Sequence, residues 1–399
     1  MKNITISLLS VALFLVVYSS CTSPQTNKNT DQEVVLVDLE KARSFSFDSV
    51  FKVEEHFPLV GSEDLPIKRI KRLIKHESTY WLLTTDLILL TDLQGTVMQT
   101  IADKGEGPGE FQSLDDIRWN YSSRSIEILD RTSGKIISYS KTGEFQKEWK
   151  NRYLYAAQSF YPQGKTYLIY GGTSFDGGGN RLVRVSQETG EILSGYFPLG
   201  KEKNYLNVTN HDTFSKLDRS LEFYYSYQDT IYSVEESALR PKYIFDFKEF
   251  TTPKSIYDRD FQDILAFELE LESRNFASVF FIKTLPEFIF LRVLQSSEFS
   301  TILINRNSLN VRVVKHWESG FGPEFEKLSS YFIFSPIASD ESFLYFSLDP
   351  YAIKSAIEDL KDDPNLSSFL QANPRIREIY EQFDTYENPY ILKLSIQEF

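Results

Sequence analysis

Apolar and polar residues alternate in short runs over most of the chain, and this period of two is typical of half-buried β-strands. Pairs of such runs, joined by a brief polar turn, recur at Leu87–Ile101, Ile136–Trp149, Leu182–Phe197, Thr230–Phe247 and Thr301–Trp317. The first three turns contain Gly95, Gly143 and Gly190, which are 48 and 47 residues apart (143 − 95 and 190 − 143). Glycine suits these turns because they require a positive φ angle. The regular period predicts a repeated sheet unit.

The stretch from Gly105 to Trp149 contains one complete copy of this unit. Its four strand-like runs, separated by turn residues, are Asp116–Asn120, Ser125–Asp130, Lys135–Ser140 and Glu144–Trp149. Five hairpins and a final single strand, Pro389–Ile396, predict six copies. We therefore expect residues 34–399 to form an all-β fold, a six-bladed β-propeller of four-stranded antiparallel blades. We expect Ser49–Leu59 to complete the last blade, because a closed ring leaves no exposed sheet edge.

Two segments depart from the period of two, and we expect helical insertions near 257–275 and 350–386. In the second segment Ile353, Ile357 and Leu360 are spaced as on one helical face, and Pro364 and Pro374 divide it into short helices. Two roles stay open for this insertion. It is either a flap packed on the sheets or a lid over a binding mouth.

The first 20 residues have the pattern of a secretory signal peptide, with Lys2 ahead of the apolar run Ile4–Val17. An uncleaved membrane anchor is the alternative, although this run is short for a span of ~20 residues. Ser19 and Ser20 precede Cys21, the only cysteine. This short stretch resembles the lipobox of bacterial lipoproteins. The resemblance implies cleavage before Cys21 and attachment of lipid to it, so that the membrane is a partner of the chain.

Residues 21–33 are polar and we expect them to form a disordered tether, because they offer no apolar group to bury. The residues directly after Cys21 are not acidic. Some lipoproteins reach the cell surface through an acidic tag at that place. Its lack favours a location in the cell envelope on the periplasmic face of the outer membrane.

The loop Gly105–Phe111 has the sequence G-E-G-P-G-E-F, and a related loop, G-F-G-P-E-F, occurs at Gly320–Phe325. The first loop is similar to the G-x-G-P-G-E-F signature of bacterial six-bladed β-propellers related to NHL-repeat proteins. The close of the chain, E-N-P-Y-I-L-K-L at Glu387–Leu394, resembles the final strand of a lipoprotein family in that group. The resemblance implies a fold and a location rather than an activity.

Charge and residue types narrow the chemistry. The formal net charge of −13 argues against nucleic acid as a partner, because phosphate binding needs a basic surface. A single cysteine permits neither an intramolecular disulfide nor a thiolate metal cluster. The four histidines are widely spaced, and no G-x-S-x-G or H-E-x-x-H motif occurs in the sequence. We therefore predict no catalytic residue, no metal ligand and no cofactor.

Basic residues mark the strands that we expect to line the central channel of the ring. They are Arg69, Lys71 and Arg72 on the first such strand and Arg118 on the second. Guanidinium groups in a solvent-filled channel could hold a carboxylate, sulfate or phosphate group of an anionic small molecule. The alternative is ion pairing with nearby acids such as Asp115 and Asp116, because a buried charge is costly without a partner.

Glu106 and Glu110 lie in the G-E-G-P-G-E-F loop, which we expect at one mouth of the channel. These carboxylates could contact a ligand at the mouth. The alternative is a purely structural loop, in which glycine and proline make a tight turn and Phe111 and Phe325 pack between blades.

These observations predict a lipid-anchored propeller of the cell envelope that binds a small ligand or a protein. A metal-dependent hydrolase or lyase, with calcium or zinc on the channel axis, is the alternative and would need inward Glu, Asp, Asn or His from several blades. A scaffold for an envelope complex is a third option. The sequence does not identify the ligand.

Overall fold

The computed structural model describes residues 32–61, 66–172, 175–199, 212–218, 220–322, 324–326, 335–383 and 387–399. The predicted signal peptide, Cys21 and nearly all of the predicted tether lie outside these ranges. The first described elements are three strands, β1 (Glu33–Leu36), β2 (Arg43–Ser46) and β3 (Phe51–Pro58).

Six antiparallel sheets follow, numbered here as blades in chain order. Blade one contains β4 (Ile70–His76), β5 (Thr79–Thr84), β6 (Ile88–Asp92) and β7 (Val97–Ile101). Blade two contains β8 (Asp116–Asn120), β9 (Ser125–Asp130), β10 (Lys135–Tyr139) and β11 (Phe145–Lys150). Blade three contains β12 (Ala157–Gln163), β13 (Thr166–Gly171), β14 (Asn180–Ser186) and β15 (Ile192–Pro198).

The remaining blades repeat the same order. Blade four contains β16 (Phe214–Leu217), β17 (Ser220–Phe223), β18 (Thr230–Val234) and β19 (Leu239–Asp246). Blade five contains β20 (Ser278–Thr284), β21 (Phe288–Gln295), β22 (Glu298–Asn305) and β23 (Val311–Glu318). Blade six contains β24 (Ala338–Ser339), β25 (Leu344–Leu348) and β26 (Tyr390–Ile396), with β3 as its outer strand. The predicted six-bladed propeller is confirmed.

The ring is closed by a strand from the N-terminal part of the chain. β3 pairs antiparallel with β26, and its register places Phe51 opposite Ile396 and His56 opposite Leu392. The inner strands of successive blades, such as β24, β4, β8 and β12, contact one another around the channel. Because closure pairs the last blade with the beginning of the described chain, the ring cannot open without loss of a complete ladder of hydrogen bonds.

The strands β1 and β2 extend two other blades, which the sequence did not predict. β1 adds a fifth, parallel strand to the outer edge of blade four, and β2 does the same on blade five. Val35 and Val37 are buried by this pairing, whereas Val34 and Leu36 point outward. The segment 33–58 therefore runs along the rims of blades four, five and six.

The core lies between neighbouring blades rather than inside any single sheet. All six residues of β9 and all five residues of β8 and of β10 are buried, because blades cover both faces of these strands. The turns of the outer hairpins have the geometry that their glycines predict: φ is +89° at Gly95, +83° at Gly143 and +73° at Gly190.

Four α-helices occupy the two predicted insertions, which are confirmed. They are α1 (Ile264–Ser273), α2 (Pro350–Glu358), α3 (Leu366–Ala372) and α4 (Pro374–Glu381). Asp263 caps α1 by accepting from the amide of Ala266 at 2.8 Å, and Asp349 caps α2. Short 3-10 turns occur at Leu39–Lys41, Phe47–Ser49, Arg152–Leu154, Lys248–Phe250 and Lys254–Ile256.

The helices lie at one end of the ring. α1 follows the outer strand β19 and precedes the inner strand β20, while α2–α4 lie between β25 and β26. In an antiparallel four-stranded blade, the connection from an outer strand to the next inner strand and the connection from the second to the third strand emerge at the same end. We call this end the mouth.

Candidate functional site

The loop Gly105–Phe111 connects β7 to β8 at the mouth, and its two glutamates make contacts inside the loop. Oε2 of Glu110 accepts from the amide of Gly107 at 2.8 Å. A Cβ atom at Gly105 would lie only 2.0 Å from the same oxygen, so a larger residue there would displace the Glu110 carboxylate. Glu106 is exposed, and its Oε1 accepts from Gln112 Nε2 at 2.6 Å.

Two side chains of β10 hold this loop in place. Tyr139 donates its hydroxyl to the carbonyl oxygen of Gly109 at 2.6 Å, and the ammonium of Lys135 approaches the carbonyl oxygen of Gly107 at 3.3 Å. Phe111 is 1 % exposed and packs among side chains of blades one and two. These contacts support the structural alternative for the loop.

The related loop that begins at Gly320 makes different packing contacts from the loop Gly105–Phe111. Phe325 is buried, but its ring lies 4.7 Å from the ring of Phe369 on α3, and Phe321 contacts Phe369 at 5.6 Å. Phe325 thus packs against the helical insertion, whereas the structural alternative for these loops placed it between blades. The helices α2–α4 supply an apolar surface that the strand pattern did not reveal.

The inner strands bring Arg72 and Arg118 together in the channel. Arg72 Nε lies 2.9 Å from Oδ1 of Asp116, and its Nη1 lies 2.5 Å from Oδ1 of Asp212. Arg118 contacts the other oxygen of Asp116 at 3.2 Å through Nε. The ion pairing with Asp116 that was the alternative for these arginines is therefore present.

Arg118 also reaches two further blades. It donates to the carbonyl oxygens of Phe160 at 3.0 Å and Phe214 at 3.2 Å, and to Ser159 Oγ at 3.0 Å. Lys283 on β20 pairs with Asp212. Arg72, Asp116, Arg118, Asp212 and Lys283, which we call the channel cluster, thus join the inner sides of five blades.

The channel cluster contains three cations and two carboxylates. Burial by itself would raise the pKa of Asp212, but the charges of Arg72, Lys283 and Arg118 outweigh burial and hold it well below its usual range. Tyr224 lies close enough for Asp212 to influence it, and burial raises its pKa well above the ordinary value. The cluster consequently keeps Asp212 ionised and ties the blades together.

The other predicted residues do not join this cluster. Lys71 donates to the carbonyl oxygen of Leu114 at 2.9 Å, and burial lowers its pKa. Arg69 is exposed just before β4. Sequence reasoning missed Asp212 and Lys283. Lys283 carried the same signal as Arg118, a charged residue within an apolar strand, while Asp212 lies in a connection that had no distinguishing pattern.

A cavity of about 410 Å³ opens at the mouth beside blades three, four and five. Its walls include the aromatic side chains of Phe197, Tyr225, Tyr227, Phe247 and Tyr257, and Ala277 and Val279 also line it. We call it the mouth pocket. Its volume is in the range of roughly 300–1,000 Å³ that is usual for small-molecule sites.

Polar groups line the mouth pocket at different depths. Arg181 is 5 % exposed, and its Cζ lies 5.8 Å from the centre of the Tyr225 ring. Lys254 is exposed at the opening and makes no side-chain hydrogen bond or ion pair with the described part of the chain. Asp229 and Gln228 are half-buried on the connection between β17 and β18.

The insertion that contains α1 helps to build this pocket. Tyr257 donates its hydroxyl to the carbonyl oxygen of Tyr227, and the Tyr227 hydroxyl donates to Glu268 on α1. The ring of Phe267 packs against Tyr227 at 5.5 Å. Two tyrosines of the pocket are therefore held by the insertion and by each other.

Within the described ranges, no group of three or more His, Cys, Asp or Glu side chains is arranged to hold a metal ion. The helices found there are also too short or too polar to cross a membrane.

The ring of six four-stranded blades around a channel defines a six-bladed β-propeller. The sequence matches the family DUF5128, described as 6-bladed beta-propeller, over residues 24–333, and the chain belongs to that family. The resemblance to bacterial six-bladed propellers that the G-E-G-P-G-E-F loop indicated is confirmed at this level.

Two of the solved structures that resemble this chain illustrate the shared fold. A candidate exported protein of Bacteroides fragilis superposes with a TM-score of 0.72 and 15 % identity, covering 92 % of this chain and 100 % of its own. A member of the duf4221 family from Bacteroides vulgatus gives a TM-score of 0.50 and 12 % identity, covering 88 % and 98 %. Identities this low indicate a shared fold only. No curated protein matches the sequence significantly.

Proposed function

We propose that this propeller is a lipid-anchored binding module of the bacterial cell envelope, attached through Cys21 on the periplasmic face of the outer membrane. Its ligand is a small molecule that carries a ring and a carboxylate, and it binds in the mouth pocket. The observation that carries the proposal is the mouth pocket itself, with aromatic walls, a buried guanidinium and an ammonium at its opening.

The channel cluster is a weaker candidate for the ligand site. Arg72 and Arg118 already contact Asp116, and Lys283 contacts Asp212, so an anion there would compete with carboxylates of the chain. The carboxylates of Asp229 and Asp258 also line the mouth pocket, but Lys254 makes no ion pair with the described part of the chain. Aromatic faces favour a flat ring, and the two cations favour an acidic substituent on it.

Calorimetric titration of the purified full chain with naphthoate, and with the uncharged naphthamide as matched ligand, tests this proposal. We expect naphthoate to bind more tightly. Ala277→Leu should weaken both ligands about tenfold, because it adds a larger side chain to the lining of the pocket. Lys254→Gln should weaken naphthoate alone, by about two- to fivefold, since an exposed charge pair is worth ~1 kcal/mol or less.

Lys165→Gln is the control for the second substitution, because Lys165 is equally exposed in the turn between β12 and β13, at the other end of the ring. Equal affinity for naphthoate and naphthamide would refute the proposal that the ligand carries an acidic substituent. If Ala277→Leu has a normal unfolding midpoint and still binds both ligands as tightly as the native chain, the mouth pocket is not the binding site.

The envelope location draws support from the likeness to a candidate exported protein and from the lipobox-like residues before Cys21. Metabolic labelling with an alkyne analogue of palmitate tests the anchor in a bacterium that makes the full chain. We expect label on the native chain and none on Cys21→Ser, which should also leave the membrane fraction. Equal labelling of the two would rule out lipid attachment at Cys21.

A further inference from the structure

The charged side chains that line the mouth pocket include acids as well as bases, and their formal charges cancel. Arg181 and Lys254 are cationic, while Asp229 and Asp258 carry carboxylates. Arg181 lies on β14 of blade three, and Asp229 directly precedes β18 of blade four. Lys254 and Asp258 lie in the connection to blade five. A ligand that carried a carboxylate alone would pair with the bases but would face the two acids, and like charges at close range repel each other.

The contacts of Asp229 hold its carboxylate in place and leave one oxygen for a ligand. The hydroxyl of Thr230 donates to its Oδ1 at 2.7 Å. The amide of Phe245 on β19 donates to its backbone carbonyl oxygen at 2.8 Å, which fixes the main chain. The side chain is half-buried and forms no ion pair with the described part of the chain. A half-buried carboxylate of this kind favours a cationic group beside it.

The main chain of the mouth pocket is strained at two of its aromatic residues. φ is +66° at Tyr227 and +58° at Phe197, in the left-handed region that residues other than glycine rarely adopt. The amide of Tyr227 donates to the carbonyl oxygen of Val279 at 2.9 Å, so a strand of blade five helps to hold this conformation. Strained residues persist where the surrounding structure fixes them, and they concentrate at ligand sites. The aromatic wall and Asp229, two residues further along the chain, are therefore positioned before a ligand binds.

We propose that the ligand of the mouth pocket is an aromatic amino acid, which carries an ammonium group next to its carboxylate. This inference rests on the proposed binding function and adds a third group to the ligand. The ammonium pairs with Asp229, the ring lies against the aromatic walls, and the carboxylate pairs with Lys254, whose long exposed side chain can follow it. The formal net charge of −13 also disfavours a free anion, whereas an amino acid has no net charge at neutral pH.

Calorimetric titration of the purified full chain with naphthylalanine and with naphthylpropanoate, which lacks only the ammonium group, tests the inference. We expect naphthylalanine to bind about five- to tenfold more tightly, because a charge-assisted hydrogen bond to a half-buried carboxylate is added. Asp229→Asn should remove this advantage, since asparagine keeps the size of the side chain and loses its charge. The affinity of Asp229→Asn for naphthylpropanoate should not fall, because no favourable contact with that ligand is lost.

Asp86→Asn is the matched control for the change in charge. Asp86 is also half-buried and lies in the connection between β5 and β6, at the same end of the ring but on blade one. It pairs with Lys68 at 2.6 Å and does not line the mouth pocket. Asp86→Asn should leave the affinities for naphthylalanine and naphthylpropanoate unchanged. An equal loss of the naphthylalanine advantage in Asp86→Asn and Asp229→Asn would overturn the contact with Asp229.

The comparison of the two ligands uses the native chain and does not depend on the folding of a variant. Equal affinity, or tighter binding of naphthylpropanoate, would overturn the assignment to an amino acid, while the preference for naphthoate over naphthamide still supported the proposed function. A folded Asp229→Asn that kept the whole advantage of naphthylalanine would also overturn the inference. Unchanged binding of naphthoate in a folded Ala277→Leu would overturn both the proposed site and this inference.

Discussion

Arg72 and Asp116 form an ion pair at 2.9 Å in which the two side chains are 6 % and 0 % exposed. The pair joins the inner strand of blade one to the inner strand of blade two. Removal of one partner from a buried ion pair leaves the other charge buried and unpaired. The free-energy cost of that unpaired charge is much larger than the net stabilisation that the intact pair contributes.

We therefore expect Arg72→Met to lower the free energy of unfolding by about 3–5 kcal/mol. Lys68→Met is the control, because Lys68 pairs with Asp86 at 2.6 Å with side chains 65 % and 35 % exposed. Lys68→Met should lower the free energy of unfolding by ~1 kcal/mol or less. Urea unfolding followed by tryptophan fluorescence measures both. Similar costs for the two substitutions would show that the channel cluster does not stabilise the ring.

The contribution of Asp212 should depend on pH. Three cations hold the pKa of Asp212 below the ordinary 3.8, even though burial opposes its ionisation. A carboxylate with a depressed pKa stabilises the fold above the unfolded-state value, and this stabilisation is lost as the pH falls through the folded-state value. Asp212→Asn should hence be less stable than the native chain at neutral pH, by an amount that shrinks below about pH 4.

Urea midpoints of the native chain and of Asp212→Asn, measured from neutral pH down to the lowest pH at which both fold, test this. A difference that stays constant across that range would mean that the charge of Asp212 does not stabilise the ring.

The contribution of Glu127 to the stability of the fold should depend on pH in the direction opposite to that of Asp212. Its side chain is completely buried on β9, burial raises its pKa above the ordinary 4.5, and its Oε2 has no hydrogen-bond partner within the described residues. Asn120 donates to the other oxygen at 2.8 Å. A carboxyl with a raised pKa stabilises the fold below the unfolded-state value and loses that contribution as the pH rises.

Glu127→Gln imitates the protonated group, so it should raise the free energy of unfolding at neutral pH and have little effect in acid. The exposed Glu144→Gln on blade two serves as control and should change little at either pH. A destabilised Glu127→Gln at neutral pH would show that the ionised carboxylate is favoured in the fold.

Gly109 combines a positive φ of +80° with a close neighbour, since a Cβ atom there would lie 3.0 Å from the ring of Phe145. Gly164 has a φ of +59° and nothing within 4 Å of the same position. Gly164→Ala should cost about 1–2 kcal/mol from the backbone alone. Gly109→Ala should cost more, because it also displaces Phe145. Thermal unfolding of the two variants compares them, and equal costs would mean that the loop adjusts freely.

Local patterns were sufficient for the elements of this fold. The glycines at 95, 143 and 190 marked the outer hairpins, and the spacing of Ile353 and Ile357 marked a helix, because turns and amphipathic helices depend on neighbouring residues. The ring closure by β3 followed from the count of strands. The pairing of β1 and β2 with blades four and five could not be predicted from the sequence, because a parallel pairing with a distant strand leaves no local signal.

The amino-acid sequence by itself determined the number and nature of the blades, since period, turn chemistry and alternation are properties of short segments. Only the tertiary structure decided which charges meet. Arg72 and Asp212 are 140 residues apart, and their contact depends on the curvature of the whole ring. The same holds for the mouth pocket, where Arg181, Tyr227 and Lys254 come from separate segments. Long-range pairing is set by the packing of blades against one another, and no local pattern records it.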